Sequence, residues 1–442
     1  MAIQLSDHFT TRKLLRFTFP SIVMMIFTSV YIVVDGFFIS NFVGKTAFAA
    51  ANFITPYLLL LGALGFMFGT GGSALIAKSM GEGNPEKAQE QFSLFVYVAM
   101  VSGIVITILG LMGLRPVAMF LGAEEAMLEE CVVYGRTILI AMPAYTLQYA
   151  FQAFFVAAEK PNLGLAVTVA AGLTNMVLDA LLVAVIPLGL VGAALATALA
   201  QVVGGILPLI YFALPNTSRL RLGKTRWNSR WLGQVCLNGS SELMSNISMP
   251  LVGMLYNLQL MRVAGEDGVA AYGVIMYVNM IFLAIFIGYS VGSAPLVSYH
   301  YGAQNHREMK NLRVKSLRLI AVTAVVMFAV AQVLAAPLSE IFVGYDATLC
   351  SMTMHGFRVF ALSFFFAGFA IYGSGFFTAL NNGPLSALIS FLRTLVFETS
   401  AILILPFLFG IDGIWSSVVV AECMAAVIAL VLMVWKRKVY QY

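Results

Sequence analysis

The sequence predicts an all-α membrane protein: twelve transmembrane helices in two six-helix bundles related by a pseudo-two-fold axis along the membrane normal. Two observations carry this expectation. Hydrophobic residues make up 60% of the chain and charged residues 10%, against about 25% charged in soluble domains. The apolar stretches are helix-length and lack strand-like alternation. A backbone in lipid must satisfy its own hydrogen bonds, so helices follow. The chain also aligns with itself at a shift of 221 residues, half its length of 442. Gly44-x4-Ala49-Ala50 falls on Gly265-x4-Ala270-Ala271, and Gly71, Leu75, Gly81 and Asn84 fall on Gly292, Leu296, Gly302 and Asn305. Gly189 and Gly192 fall on Gly410 and Gly413, while Phe154-Phe155-x-Ala157 meets Phe376-Phe377-x-Ala379 at a shift of 222. Membrane proteins of two similar halves usually place the ligand path between them.

The spans, in order, are 14–38, 47–76, 91–114, 132–154, 163–186 and 190–213, then 235–260, 268–298, 316–337, 354–379, 385–409 and 413–435. Six per half is an even number, so the second half starts on the same side and the repeats are parallel rather than inverted. The first bundle is thus expected over 1–213 and the second over 235–442, joined by the polar, basic linker 214–234. Arg12, Lys13 and Arg16 precede the first span. The linker carries Arg219, Arg221, Lys224, Arg226 and Arg230, and the loop after the eighth span carries Arg307, Lys310, Arg313, Lys315 and Arg318. With Lys78, Lys87, Lys160 and Lys436-Arg437-Lys438, one side holds 19 of the 25 Lys and Arg residues. The positive-inside rule puts that side, and both termini, in the cytoplasm. The opposite loops are acidic or neutral, as at Glu124, Glu125, Glu129 and Glu130. The basic balance reflects topology and calls for no nucleic-acid partner. A cleavable signal peptide is not expected, because the first apolar stretch is too long and no small-residue cleavage site follows it. The scattered Cys131, Cys236, Cys350 and Cys423 read as buried thiols rather than a disulfide or metal set. No cofactor is expected.

Charges at membrane depth cost about 3 kcal/mol or more each. Asp35, Asp179, Glu242, Glu398 and Glu422 all fall within spans, and Arg393 is the clearest buried base. The first and fifth spans run outward, which places Asp35 and Asp179 in their outer parts. Thr197 lies about two turns into the sixth span, Tyr134 near the outer start of the fourth, and Asn175 one turn before Asp179. Tyr31 stands in the same relation to Asp35. These residues can converge at one level. Two carboxylates brought together in low dielectric take up a proton or share a cation such as sodium, which is the switch an ion-driven exporter needs. The alternative is a set of separate helix-packing polars.

Glu242 lies one turn before Asn246 at the inner end of the seventh span, where it can attract a cationic substrate or only tie helices together. Gln148 and Gln152, one turn apart, can line the same cavity. Arg393 and Glu398, five residues apart on one helix, suit a structural ion pair, and Glu422 suits a packing network. Pro20 lies below Asp35 and permits a bend linking protonation to cavity shape. Abundant Met and Phe suit adaptable apolar pockets as well as plain core filling. Gly69-Thr-Gly71-Gly72-Ser and Gly81-Glu-Gly-Asn84-Pro-Glu lack the Lys-Ser/Thr of a phosphate loop; close helix packing and a tight turn fit better.

Val33-Val34-Asp35-Gly36-x2-Ile39 and Asn175-x2-Leu178-Asp179, in this topology and with the Gly-rich turns after spans two and eight, resemble the multidrug and toxic compound extrusion family over essentially the whole chain. The resemblance is greatest to its bacterial MepA-like branch. It implies a V of two bundles in the bacterial cytoplasmic (inner) membrane that exports cationic or amphipathic drugs, driven by sodium or proton entry. It maps the coupling site onto Asp35, Tyr134, Asn175, Asp179 and Thr197, with Pro20 as the bending point. The chain departs from branches with an acidic residue in the tenth span: 354–379 holds no Asp or Glu. Tyr256 falls opposite Asp35, and Glu398 matches Asp179 only with a two-residue slip. A monomer is expected, since one chain holds both halves. A lipid-linked-sugar flippase is disfavoured because only Arg393 lies deep in a span. An intramembrane transferase lacks an Asp-x-x-Asp motif or nucleophile–base pair, and a channel lacks a repeated pore-lining ring.

Overall fold

The computed structural model describes residues 3–123 and 125–442; Glu124, named above among the acidic loop residues, lies outside them. Among the described residues there is no strand. The first half comprises α1 Thr11–Phe38, α2 Lys45–Gly81, α3 Pro85–Phe120, α4 Glu125–Ile140, α5 Met142–Ala157, α6 Pro161–Asp179 and α7 Leu190–Ala213. The second comprises α8 Ser229–Gly302, α9 His306–Val343, α10 Ala347–Phe360, α11 Phe364–Ala379, α12 Gly383–Phe391, α13 Glu398–Phe409, α14 Ile411–Trp435 and the short α15 Arg437–Tyr440.

The twelve expected spans can all be traced. Ten described helices are long and apolar enough to cross a membrane, and α4 with α5 makes a further span bent by 57°. The 74-residue α8 is two spans in sequence. Gly265, at φ 66° and ψ −152°, breaks it in a backbone region open essentially to glycine. The rings of Tyr256 and Tyr272 stack with centroids 5.0 Å apart, where a straight helix would separate those residues by about 24 Å. The chain therefore turns back at Gly265, at the same place in the repeat as Gly44.

Two expected spans are not continuous. The fourth, expected over 132–154, breaks at Ala141, where Pro143 in the first turn of α5 has no N–H to carry the helix through. The tenth, expected over 354–379, breaks in a 3-10 turn at Ala361–Ser363. Adding 221 to 141 gives 362, so the break belongs to the repeat. The linker is shorter than expected. Asn228 accepts from Trp231 N at 3.1 Å and caps α8 at Ser229, which leaves 214–228 non-helical.

The two halves meet mainly through α8, against α1 and α2. This seam is built on absent side chains. A Cβ on Gly71 would overlap the Val235 backbone, and one on Gly239 the Met67 backbone. Nearer the basic end, Gly81 abuts Tyr299 O and Gly302 abuts Lys78 O. The Gly-rich segments are thus close helix crossings, as their sequence suggests. A segment before α1 reinforces the same end. Leu5 and Phe9 are fully buried. Leu5 N donates to Glu159 Oε1 at 2.8 Å, on the turn between α5 and α6, and Phe9 N donates to Glu308 Oε1 at 2.9 Å, on α9. Phe9 O accepts from Asn311 Nδ2 at 3.0 Å and Lys315 Nζ at 2.6 Å. One strap therefore joins both halves across the basic end.

Candidate functional site

Asp35 stands in the last turn of α1 and Asp179 ends α6. Each helix then loosens into a π turn, Ile39–Val43 and Ala180–Val185, a wider winding that recurs at functional sites. The two turns touch each other. The five residues expected to converge do so. Thr197 Oγ1 on α7 lies 3.5 Å from Asp35 Oδ1, and Asn175 Nδ2 lies 3.4 Å from Thr197 Oγ1. The Asp35 and Asp179 carboxyls are neighbours, and Tyr134 faces both. Asp179 is 0% exposed, Asn175 1% and Tyr134 5%; Asp35 is partly exposed. Both carboxyl oxygens of Asp179 and the amide oxygen of Asn175 are buried without a hydrogen-bond partner. Buried polar atoms are rarely left so. The site therefore has unused capacity for a small cation or proton.

Tyr145 and Tyr149, not singled out from sequence, complete the wall. Tyr149 neighbours Tyr31, and its ring lies tilted 4.1 Å from that of Phe66 and 4.7 Å from that of Tyr145. Their spacing of one turn on α5 was the available signal.

Gln148 and Gln152, expected beside the same cavity, are buried inside the first bundle. They border a narrow cleft, too tight to admit a water, with Phe151, Thr168 and Gly204. Gln148 also neighbours Tyr31, so it touches the edge of the acidic site, while Gln152 lies a turn nearer the basic end. Both face α6 and α7 of their own bundle. Asn246 spends its amide on Glu242 O at 2.8 Å, within its own helix. Glu242 is partly exposed and lies near Arg393.

Arg393 is not paired with Glu398, five residues along. Its Nε lies 3.0 and 2.9 Å from Glu422 Oε1 and Oε2, and its Nη2 lies 2.7 Å from Oε1. A planar fork meets a carboxylate facing it from the next helix better than one on its own helix. Pro20 is buried within α1, which runs unbroken through it. The adjoining Ser21 and Ile22 pack against Gly288, whose Cβ would lie 2.5 Å from Ile22 Cα. Pro20 thus sits at the seam, about 22 Å along the helix from Asp35.

A family model described as MatE matches residues 20–181 and 243–402. The multidrug export protein MepA of Staphylococcus saprophyticus is 24% identical over 426 residues, covering 95% of this chain and 93% of its own. MepA of Staphylococcus aureus is 23% identical over 428 residues, with the same coverage. Among solved structures, an outward-facing multidrug resistance MATE family transporter superimposes with a TM-score of 0.94 at 20% identity, covering 100% of this chain and 98% of that one. A MATE structure in the straight conformation gives 0.93 at 19% identity, with 98% of each chain covered.

Proposed function

Because the chain belongs to the MatE family, we propose that it is a secondary active multidrug exporter, working by antiport of cationic or amphipathic compounds against protons or sodium. The observation that carries this reading is the Asp35–Asp179 pair in the first bundle, with Asp179 fully buried and both of its carboxyl oxygens partnerless. In this reading the basic end faces the cytoplasm of a bacterial inner membrane, and both termini lie there. The first bundle, up to Ala213, and the second, from Ser229 on, work as two bodies joined by 214–228. The basic end is closed by its glycine seam and strap.

Two neighbouring carboxyls in low dielectric do not both keep a negative charge comfortably. When no drug is bound, a proton or sodium ion from outside neutralises the pair, with Thr197, Asn175 and Tyr134 turning their polar atoms to it. A cationic drug between the bundles favours the unneutralised form. Drug and ion thus compete, and each shifts the population of states through differential binding. Glu242 lies where it adds attraction for a positive charge entering from the basic end. Each chain contains both bundles, so a monomer suffices.

Ion-replacement transport in proteoliposomes tests this. Efflux of ethidium under a proton gradient alone, or under a sodium gradient alone, with matching ion flux that requires ethidium, is the expected result. Ion flux that ignores ethidium would indicate a channel. No ethidium movement under either gradient would overturn the exporter reading.

A further inference from the structure

The second bundle holds a largely buried polar cluster of which the proposed mechanism uses only Glu242. Arg393 and Glu422 form a forked ion pair with 17% and 7% of their side chains exposed. Glu398 and Glu242 lie close to this pair. If all three carboxyls were ionised, one guanidinium would face three negative charges, a formal balance of −2. An unbalanced buried charge is costly. The Glu422 oxygens are already engaged by Arg393, so the surplus falls on Glu398 and Glu242.

A second observation points into the same place. The Tyr256 hydroxyl, on a residue 1% exposed, has no hydrogen-bond partner, and it neighbours the Glu398 carboxyl. Its ring is held from behind by stacking on Tyr272, 5.0 Å away with planes 6° apart. A hydroxyl serves either state of a carboxyl: it donates to an ionised one and accepts from a protonated one.

The repeat gives this pair its meaning. Tyr256 is Asp35 plus 221, and each stands nine residues before its turn glycine, Gly265 or Gly44. Asp179 lies 19 residues after the cap of its span, Lys160, and Glu398 lies 16 after the corresponding Asn382. The offset is three residues, roughly one helical turn. A π turn lies beside each carboxylate, after Asp179 at Ala180–Val185 and before Glu398 at Leu392–Phe397.

We propose that Glu398, with Tyr256, is a second proton-binding site, the second-bundle counterpart of the Asp35–Asp179 pair with one carboxyl in place of two. A proton fits better than a metal ion. The adjacent Arg393 guanidinium repels a metal cation, and the Glu422 oxygens that would help to hold one are occupied. The groups facing Glu398 are Tyr256 and Tyr272 from α8, Glu422 from α14 and Arg393 on its own span, while Glu242 from α8 faces Arg393. The exporter reading supplies the site's purpose, a proton carried in each transport cycle besides the proton or sodium ion at Asp35 and Asp179, but its test does not depend on transport.

That test is the pH-induced infrared difference spectrum of the purified full chain in lipid, read at the carbonyl stretch of protonated carboxyl groups. Glu398→Gln loses one band. Tyr256→Phe shifts that band, because the acid loses its hydroxyl partner. Asp179→Asn keeps it and alters a different one. If Glu398→Gln does not fold, Glu398→Asp retains an acid and shifts the band. Spectra of the Glu398 variant superimposable on the unaltered protein, or a Tyr256→Phe band that stays in place, would overturn the proposal. Failure of ethidium-coupled flux in the transport assay would remove the exporter reading while leaving this result standing.

Discussion

At the scale of single residues, the charges inside spans were the readable part of the site. A carboxylate at membrane depth needs a reason, and depth can be counted from a span's start. Asp35, Asp179, Asn175, Thr197 and Tyr134 were legible on those grounds. Their partners across helices were less so, because pairing depends on how each helix is rotated about its axis. Arg393 illustrates this: its sequence neighbour Glu398 looked the better partner, and Glu422 from α14 holds it instead. Gln148 and Gln152 turned inward for the same reason. The Arg393–Glu422 pair makes a stability prediction. Arg393→Met strands a buried carboxylate and costs about 3–5 kcal/mol. Arg393→Met with Glu422→Leu recovers most of that loss. Thermal unfolding of the purified variants reads both, and a double variant as unstable as the single one would contradict the pairing.

At the scale of elements, the spans were legible from length and apolarity, and the turn at Gly265 from its repeat partner Gly44. The break at Ala361–Ser363 was not, because the apolar run continues across it and only the backbone turns, whereas the break at Ala141 had a signal in Pro143. The π turns after Asp35 and Asp179 were equally silent, since no composition marks an extra residue in a turn. Pro20 leaves α1 continuous here, but it removes one backbone hydrogen bond where α1 crosses α8. Pro20→Ala is expected to cut export while ethidium still binds, as measured by transport and binding in parallel. Unchanged export would remove the bending role. The strap over 3–9 holds Glu159 to Glu308 by way of Leu5 and Phe9. Deleting it is expected to speed thiol labelling of a Ser79→Cys probe, since Ser79 is 1% exposed beneath the closed end. An unchanged labelling rate would show that the glycine seam alone keeps that end shut.

At the scale of the whole molecule, the shift of 221 foretold two similar bodies with a path between them. It did not foretell how they touch. That contact is made by glycines 71, 81, 239 and 302, whose spacing reads equally well as tight turns. Close backbone crossings make an interface that packs fully or parts, with little between. Alternating access needs such an interface, because a change of charge at Asp35 and Asp179 must tip one packed arrangement into another. The most direct measurement of that link is gradient-driven ethidium transport by vesicles holding Asp35→Asn or Asp179→Asn beside the unaltered protein, at matched protein content. Each variant is predicted to bind ethidium but fail to move it against its gradient; transport at the unaltered rate by both would contradict the account.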